Sequence, residues 1–283
     1  MESFLIFSIR SVILKVKILP EWFLSLMLLL STSSLTWYWL HHTFALAKKA
    51  WFDWIDLCIE HNLYDTWDRE YISSLIEQFS LPVLSMSAPS TKLNEEKVDQ
   101  IINIAKHIGA EVVSFSPPHI SDKNTKWFRQ YLPKIKKEEW ITFSVQNVAP
   151  KFLFFIIPEY KNSTLEQIKK TTGFTTLDVG GVDVSSGIDL TKAYDLLGSS
   201  IKNIFLSDRD SNGKEGLLPG NAWNGVSHLP LESFLMKLKK NNYTWHISLK
   251  INPNELFVGD EEKIQEQFVQ FQNYYHKYYT NFN

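Results

Sequence analysis

Residues 174–208 read FTTLDVGGVDVSSGIDLTKAYDLLGSSIKNIFLSD. A short β-prone run, Phe174–Asp178, gives way to glycines. Gly187-Ile188-Asp189-Leu190 then opens a helical stretch to Leu197, and a second apolar run, Ile201–Ser207, leads to Asp208. Strand, helix and strand at these lengths make a crossover unit that joins parallel neighbours. Residues 244–251, TWHISLKI, read as a further strand after a helix at Leu231–Lys240. Charged side chains stand at these strand ends: Asp178, Asp208 and Lys250. If the strands close into a barrel, those tips carry the chemistry.

Working upstream, the same alternation predicts strands at Trp54–Ile59, Pro82–Ser87, Glu111–Ser116 and Ile141–Gln146. Between them fall helices at Asp68–Gln78, Asn94–His107, Thr125–Lys137 and Thr164–Thr172. Asn94 is placed to cap a helix whose Val98, Ile101, Ile102 and Ala105 share one face. Ser163-Thr164-Leu165-Glu166 has the form of a capping box. The last helix, from Glu261 towards Tyr279, sets Phe268, Phe271, Tyr275, Tyr278 and Phe282 on one apolar face that is expected to pack on the barrel.

One strand is contested. Trp22–Ala47 contains no Asp, Glu, Lys or Arg, and the basic Arg10, Lys15 and Lys17 lie just upstream, as for a membrane helix of ~20 apolar residues. Ser31–Ser34 interrupts that run, and His41 and His42 follow it. Parallel strands covered on both faces read as continuous apolar runs, so Leu26–Ser33 is preferred as the first strand. The expected architecture is α/β: a single (β/α)8 TIM barrel over residues 22–283 with a short N-terminal extension at 1–21. A chain of 283 residues has the length of one such barrel.

Composition excludes some functions. A net charge of −2 gives no general attraction to nucleic acid or to an anionic membrane, so neither is expected as a partner. The single cysteine, Cys58, permits no internal disulfide and fits a reducing, cytoplasmic setting.

The strand tips also carry a resemblance. Ser87-Ala88-Pro89 after strand 3, Ser116-Pro117-Pro118 after strand 4 and Gln146-Asn147 after strand 5 fall in order. Asp178-Val179-Gly180-Gly181, Phe205-Leu206-Ser207-Asp208 and the loop Glu215–Asn221 follow. Together they resemble motifs of the xylose isomerase-like TIM barrels, which include sugar phosphate isomerases and epimerases and endonuclease IV-type repair enzymes. That resemblance implies a divalent metal held by histidines and carboxylates. Here Ser87, Ser116, Gly181 and Phe205 stand where it implies histidines, Gln146 where it implies glutamate, and Lys250 where it implies a terminal carboxylate. Glutamine is a weak ligand for a hard cation, glycine and phenylalanine offer none, and an ammonium repels a dication. The expectation is no metal and no cofactor.

Asp178 and Asp208 then need another counter-charge, and Lys250 can supply it. One reading is an internal salt bridge plugging a dead site. Another is a charged pocket of Ser87, Ser116, Gln146, Asn147, Asp178, Asp208 and Lys250 that binds a sugar, polyol or sugar phosphate. A third makes Asp208 and Lys250 the acid/base pair of a metal-independent isomerase. An imine-forming Lys250 would have to be neutral, and neighbouring carboxylates favour the ammonium. A membrane-tethered scaffold anchored by Trp22–Ala47 is the alternative from another class. His41, His42, His61 and His119, with Trp37, Trp39, Trp67 and Trp223, fall in or near loops at the mouth; His228 and His246 show no ligand spacing.

Overall fold

One of the four small polar residues that break the first apolar run, Ser34, ties together the ends of the strands that close the sheet. In the computed structural model, Ser34 Oγ donates to the Leu249 carbonyl and accepts from the Ile251 amide at 2.9 Å. The ends of the first and last strands are thereby joined. The structure describes residues 28–136, 139–154, 156–182, 187–220 and 229–280. The barrel strands are β1 (Leu28–Ser31), β2 (Trp54–Cys58), β3 (Val83–Ser87), β4 (Val112–Phe115), β5 (Thr142–Gln146), β6 (Thr175–Asp178), β7 (Ile201–Leu206) and β8 (His246–Leu249). All neighbours are parallel, and β1 closes on β8 with Leu28 opposite Ile247 and Leu30 opposite Leu249. The proposed extension, residues 1–21, lies outside the described residues. From Leu28 onward the contested segment is strand, 3₁₀ turn (Thr32–Leu35) and helix, and no helix among the described residues is long and apolar enough to cross a membrane.

Eight principal helices cover the barrel: α1 (Leu40–Lys49), α2 (Arg69–Phe79), α3 (Glu95–Ile108), α4 (Leu132–Ile135, preceded by a π turn at Trp127–Tyr131), α5 (Leu165–Thr172), α6 (Leu190–Leu197), α7 (Leu231–Lys240) and α8 (Glu261–Tyr275). Asn94 caps α3 by accepting from the Lys97 amide. The capping box of α5 sits one residue later than its sequence motif. Thr164 accepts from the Gln167 amide and Gln167 from the Thr164 amide. The glutamine thus meets the geometric requirement that Glu166 was expected to meet. At the C-terminus a π turn, His276–Thr280, follows α8. The wider turn shifts the apolar register by one, so Tyr279 rather than Tyr278 joins Phe268, Phe271 and Tyr275 in the core. Phe282 lies outside the described residues.

The first strand is the continuous apolar run expected of it, Leu28–Leu30, but most of the others alternate, with the polar side facing the lumen. Val113 and Phe115 of β4 point outward, where Phe115 meets Trp127 beneath the helices and Phe143 of β5. Their neighbour Ser114 points inward and bonds to Thr176 of β6 at 2.7 Å and Ser144 of β5 at 3.1 Å. Across the lumen, Asn203 of β7 donates to Ser85 of β3 at 2.9 Å and accepts from Ser248 of β8 at 3.1 Å. Barrel lumens are ordinarily filled by branched apolar side chains. This one has a polar middle layer, and most of its members satisfy one another as buried polar groups must.

Asp56 of β2 breaks that pattern. It is paired in register with Ser31 and Ser85 and is 0% exposed, yet neither carboxyl oxygen completes a hydrogen bond. Burial pushes its carboxyl above the ordinary aspartate range. The nearby Ser31 and Ser85 hydroxyls and the charges of Lys250 and His246 oppose the shift without cancelling it.

Candidate functional site

Strand periodicity builds the mouth from the layer below it. Since alternate residues share a face, Asp178 stands one step above Thr176, and Lys250 one step above Ser248. Lys250 Nζ lies 3.8 Å from Asp178 Oδ2 and 4.2 Å above the Phe205 ring centroid. Phe205, where the resemblance implies a histidine, gives the ammonium an aromatic face. Both charged side chains keep about a quarter of their exposure, at 28% for Lys250 and 22% for Asp178. Asn147 fixes Asp178 from the side: its Oδ1 accepts from the Asp178 amide at 2.7 Å and its Nδ2 donates to the Asp178 carbonyl at 2.8 Å. The Gly181 amide donates to Asp178 Oδ1 at 3.3 Å.

A third carboxylate arrives by a route the strand motifs do not show. Asp208–Arg209 pairs antiparallel with Glu215–Leu217 around a turn in which Asp210 accepts from the Asn212 and Lys214 amides. Gly213, at φ +84°, completes the turn. At Gly216, φ is +78° and a Cβ would stand 2.8 Å from the Asn252 amide nitrogen, which itself donates to the Gly216 carbonyl at 2.8 Å. Only glycine fits there, and the contact stitches the β7 loop to the end of β8. Glu215 is carried over the mouth. Burial, and then Asp178, raise its carboxyl above the ordinary range, against Lys151, Arg209 and Lys250. Asp178, Glu215 and Lys250 line a cleft of 410 Å³ with Ser33, Ser207 and Asn252. Acceptors and donors both face this space, which suits a polyhydroxylated or anionic molecule.

The other candidates are placed differently. Ser116 accepts from Gln146 Nε2 at 2.7 Å, and these two, with buried Ser87, do not line the cleft. Asn147 positions Asp178 through the backbone. Asp208 is buried, and its carboxylate accepts from the Arg209 amide at 2.7 Å. The Lys250 ion pair is made with Asp178, not Asp208. Asp208 lies beyond the end of β7, in the short antiparallel pair with Glu215–Leu217, and its charge is felt at Tyr274 of α8. His61 donates to the Thr91 carbonyl and stacks on Trp67, and His119 meets Glu159 and Tyr160; both tie loops down. His41 and His42 lie on α1, where they meet Gln78 and Glu261. Trp37 and Trp39 are exposed. Trp223 and His228 lie outside the described residues. Cys58, buried at the end of β2 beside Glu60, has its thiol pushed up to about 12, mainly by burial, and is chemically quiet.

These residues do not fit a divalent metal. Lys250 already serves as the counter-charge, and the Gln146 amide is engaged. A Cβ at Gly181 would crowd the Ala149 amide at 3.3 Å and Asn147 at 3.4 Å, leaving little room for a histidine. Among the described residues no three His, Cys, Asp or Glu side chains converge as a metal cluster. Protein purified and mildly chelated is expected to carry well below one Zn, Mn, Fe or Mg per chain. Elemental analysis returning stoichiometric metal would overturn that expectation.

No protein-family model and no curated protein matches the chain. Its fold matches solved structures. A xylose isomerase domain-containing protein from Salmonella typhimurium superposes with a TM-score of 0.62 at 14% identity, over 88% of this chain and 97% of that one. The IolI protein, solved with a bound zinc atom, gives 0.62 at 16% identity, over 90% and 100% of the two chains. Endonuclease IV from Thermus thermophilus gives 0.55 at 14%, over 84% and 94%. The fold is that of the xylose isomerase-like TIM barrels.

Proposed function

We propose that this barrel is a sugar phosphate isomerase/epimerase-like protein that binds a sugar, polyol or sugar phosphate without a metal such as the zinc bound in the IolI structure. The observation that carries the reading is the Lys250 ammonium standing beside Asp178 in a cleft that Glu215 also lines. Zinc is bound in the IolI structure, whereas Gln146, Gly181, Phe205 and Lys250 here leave too few anionic donors. An endonuclease role, as in another neighbour, draws no support from a net charge of −2, since backbone phosphates call for basic groups. A cytoplasmic setting agrees with the lone, buried Cys58.

A metal-free isomerase is the second reading, and the raised carboxyl of Glu215 favours it. Glu215, rather than Asp208, would then share proton transfer with Lys250.

A thermal-shift series of sugar phosphates, polyols and inositols tests binding. A true ligand at about a hundred times its Kd adds about 2.7 kcal/mol to stability. The expected result is a dose-dependent rise for one chemical class that Asp178→Asn abolishes. A flat response across the series would sink the binding reading. Carbon-bound deuterium appearing in the responding ligand in heavy water would favour the isomerase over a binding protein.

A further inference from the structure

Helix α1 ends in a turn that ordinarily calls for glycine. The Phe52 amide donates to the Ala47 carbonyl and the Trp51 amide to the Lys48 carbonyl, both at 3.1 Å. That is the bond pattern of a helix closed by a left-handed residue. The residue here is Trp51, at φ +62°. A bulky side chain is strained in that region, and this one gains no burial in return, since it is 78% exposed. Packing therefore does not explain an indole at this position. Trp51 borders a groove of 160 Å³ at the foot of the barrel, the end opposite the mouth. Leu28 and Trp54, which open β1 and β2, line it with Asp53 and, from α8, Gln272 and Tyr275. Three of these carry unused polar capacity. Tyr275 is 2% exposed, and its hydroxyl has no hydrogen-bond partner among the described residues. Gln272 donates its amide nitrogen to the Ala50 carbonyl at 2.7 Å, which leaves its oxygen as an acceptor. The Asp53 carboxyl is raised above the ordinary aspartate range by burial, and the charge of Lys48 opposes the shift without forming an ion pair.

We propose that this groove binds a small organic ammonium ion, held by the Asp53 carboxylate and the indoles of Trp51 and Trp54. Charge decides the occupant. An anion would meet a carboxylate and an amide oxygen, both acceptors. A neutral apolar molecule would leave Asp53 and the Tyr275 hydroxyl as they are, desolvated and unpaired. An ammonium ion compensates Asp53, and aromatic rings attract a cation through their π faces, more strongly as water is excluded. A hydroxyl on the same ligand would accept from Tyr275. The groove has the room of about five waters at ~30 Å³ each, which suits a molecule of the size of choline. It also gives the strained turn a use: the left-handed residue carries the indole out to the rim of the site. The proposal concerns the opposite end of the barrel from the cleft and does not rest on how the cleft is read.

The experiment is calorimetric titration of the full-length chain with choline at neutral pH and fixed ionic strength. A parallel titration uses the neutral alcohol of the same shape, in which carbon replaces the nitrogen. Saturable binding of choline at one site per chain is expected, with little or no binding of the alcohol. Asp53→Asn should weaken choline binding by about tenfold or more, because the charge-assisted contact is lost. Trp51→Gly should weaken it by about threefold to fivefold, the scale of an exposed cation–π contact. In Trp51→Gly the unfolding midpoint should hold or rise, since glycine suits the left-handed turn. A clear fall in that midpoint would show that the indole serves folding, and would overturn the inference. So would a wild type that binds no choline, equal binding of the neutral alcohol, or an Asp53→Asn variant that binds as the wild type does. A concentration-dependent dimer that Trp51→Gly abolishes, with no choline bound, would assign the groove to a second copy of the chain instead.

Discussion

Asp56→Asn is expected to make the protein more stable at neutral pH, by about 1–3 kcal/mol, the usual cost of a buried polar group left unsatisfied. The carboxyl lies inside the polar layer with neither oxygen bonded, and burial raises its pKa above the 3.8 of an ordinary aspartate. In the unfolded chain it ionises above pH 3.8; in the folded barrel it keeps its proton to higher pH. The unfolded state therefore binds fewer protons across that window, and stability falls as pH rises from 3.8 towards the folded value. Below 3.8 both states are protonated, and the part of the difference between wild type and variant that depends on ionisation should vanish. Asparagine has nearly the same shape and never ionises. Chemical denaturation on either side of the window measures the effect. A variant less stable than wild type at neutral pH would mean that Asp56 is ionised and held by Lys250.

The sequence showed the barrel because strands and helices alternate through eight units, and some helices are bounded by residues with a mechanical role: Asn94 and Asp189 as caps, and Gly109 and Gly173 in left-handed turns. The polar lumen was also written there. Ser85 and Ser87, Ser114 and Ser116, Ser144 and Gln146, and Ser248 and Lys250 repeat at a spacing of two. The expectation that two-sided burial means continuous apolar runs hid that period, since here the lumen side is satisfied by hydrogen bonds instead.

The tips were legible only as far as parity reaches. Asp178 and Lys250 continue the lumen face of their strands. Asp208 lies beyond the end of β7, and the Lys250 ion pair is made with Asp178 instead. Glu215 was missed because it belongs to no strand motif. Its signal was the turn Asp210-Ser211-Asn212-Gly213, which folds the chain back by a hairpin and returns residue 215 to the mouth.

Lys250→Met is expected to destabilise the protein by about 1–3 kcal/mol, less than the 3–5 of a fully buried pair, because solvent still reaches both partners. The substitution leaves Asp178 and Glu215 facing each other across the cleft with no cation between the strand tips, and removes the ammonium from the Phe205 ring. Adding Asp178→Asn should recover part of the loss, because the stranded charge goes with its partner. Adding Asp208→Asn instead should recover little, since the Lys250 ion pair is made with Asp178. Lys250→Glu should be worse than Lys250→Met at neutral pH: it places a third carboxylate among Asp178 and Glu215, although it restores the residue that the family resemblance implies. Acidification should narrow the gap between these two variants as the crowded carboxylates take up protons. The comparison separates two roles for Lys250, a counter-ion built into the mouth and a side chain that merely reaches solvent. An unchanged denaturation midpoint in Lys250→Met would establish the second, and the metal's place would then have been left without a substitute.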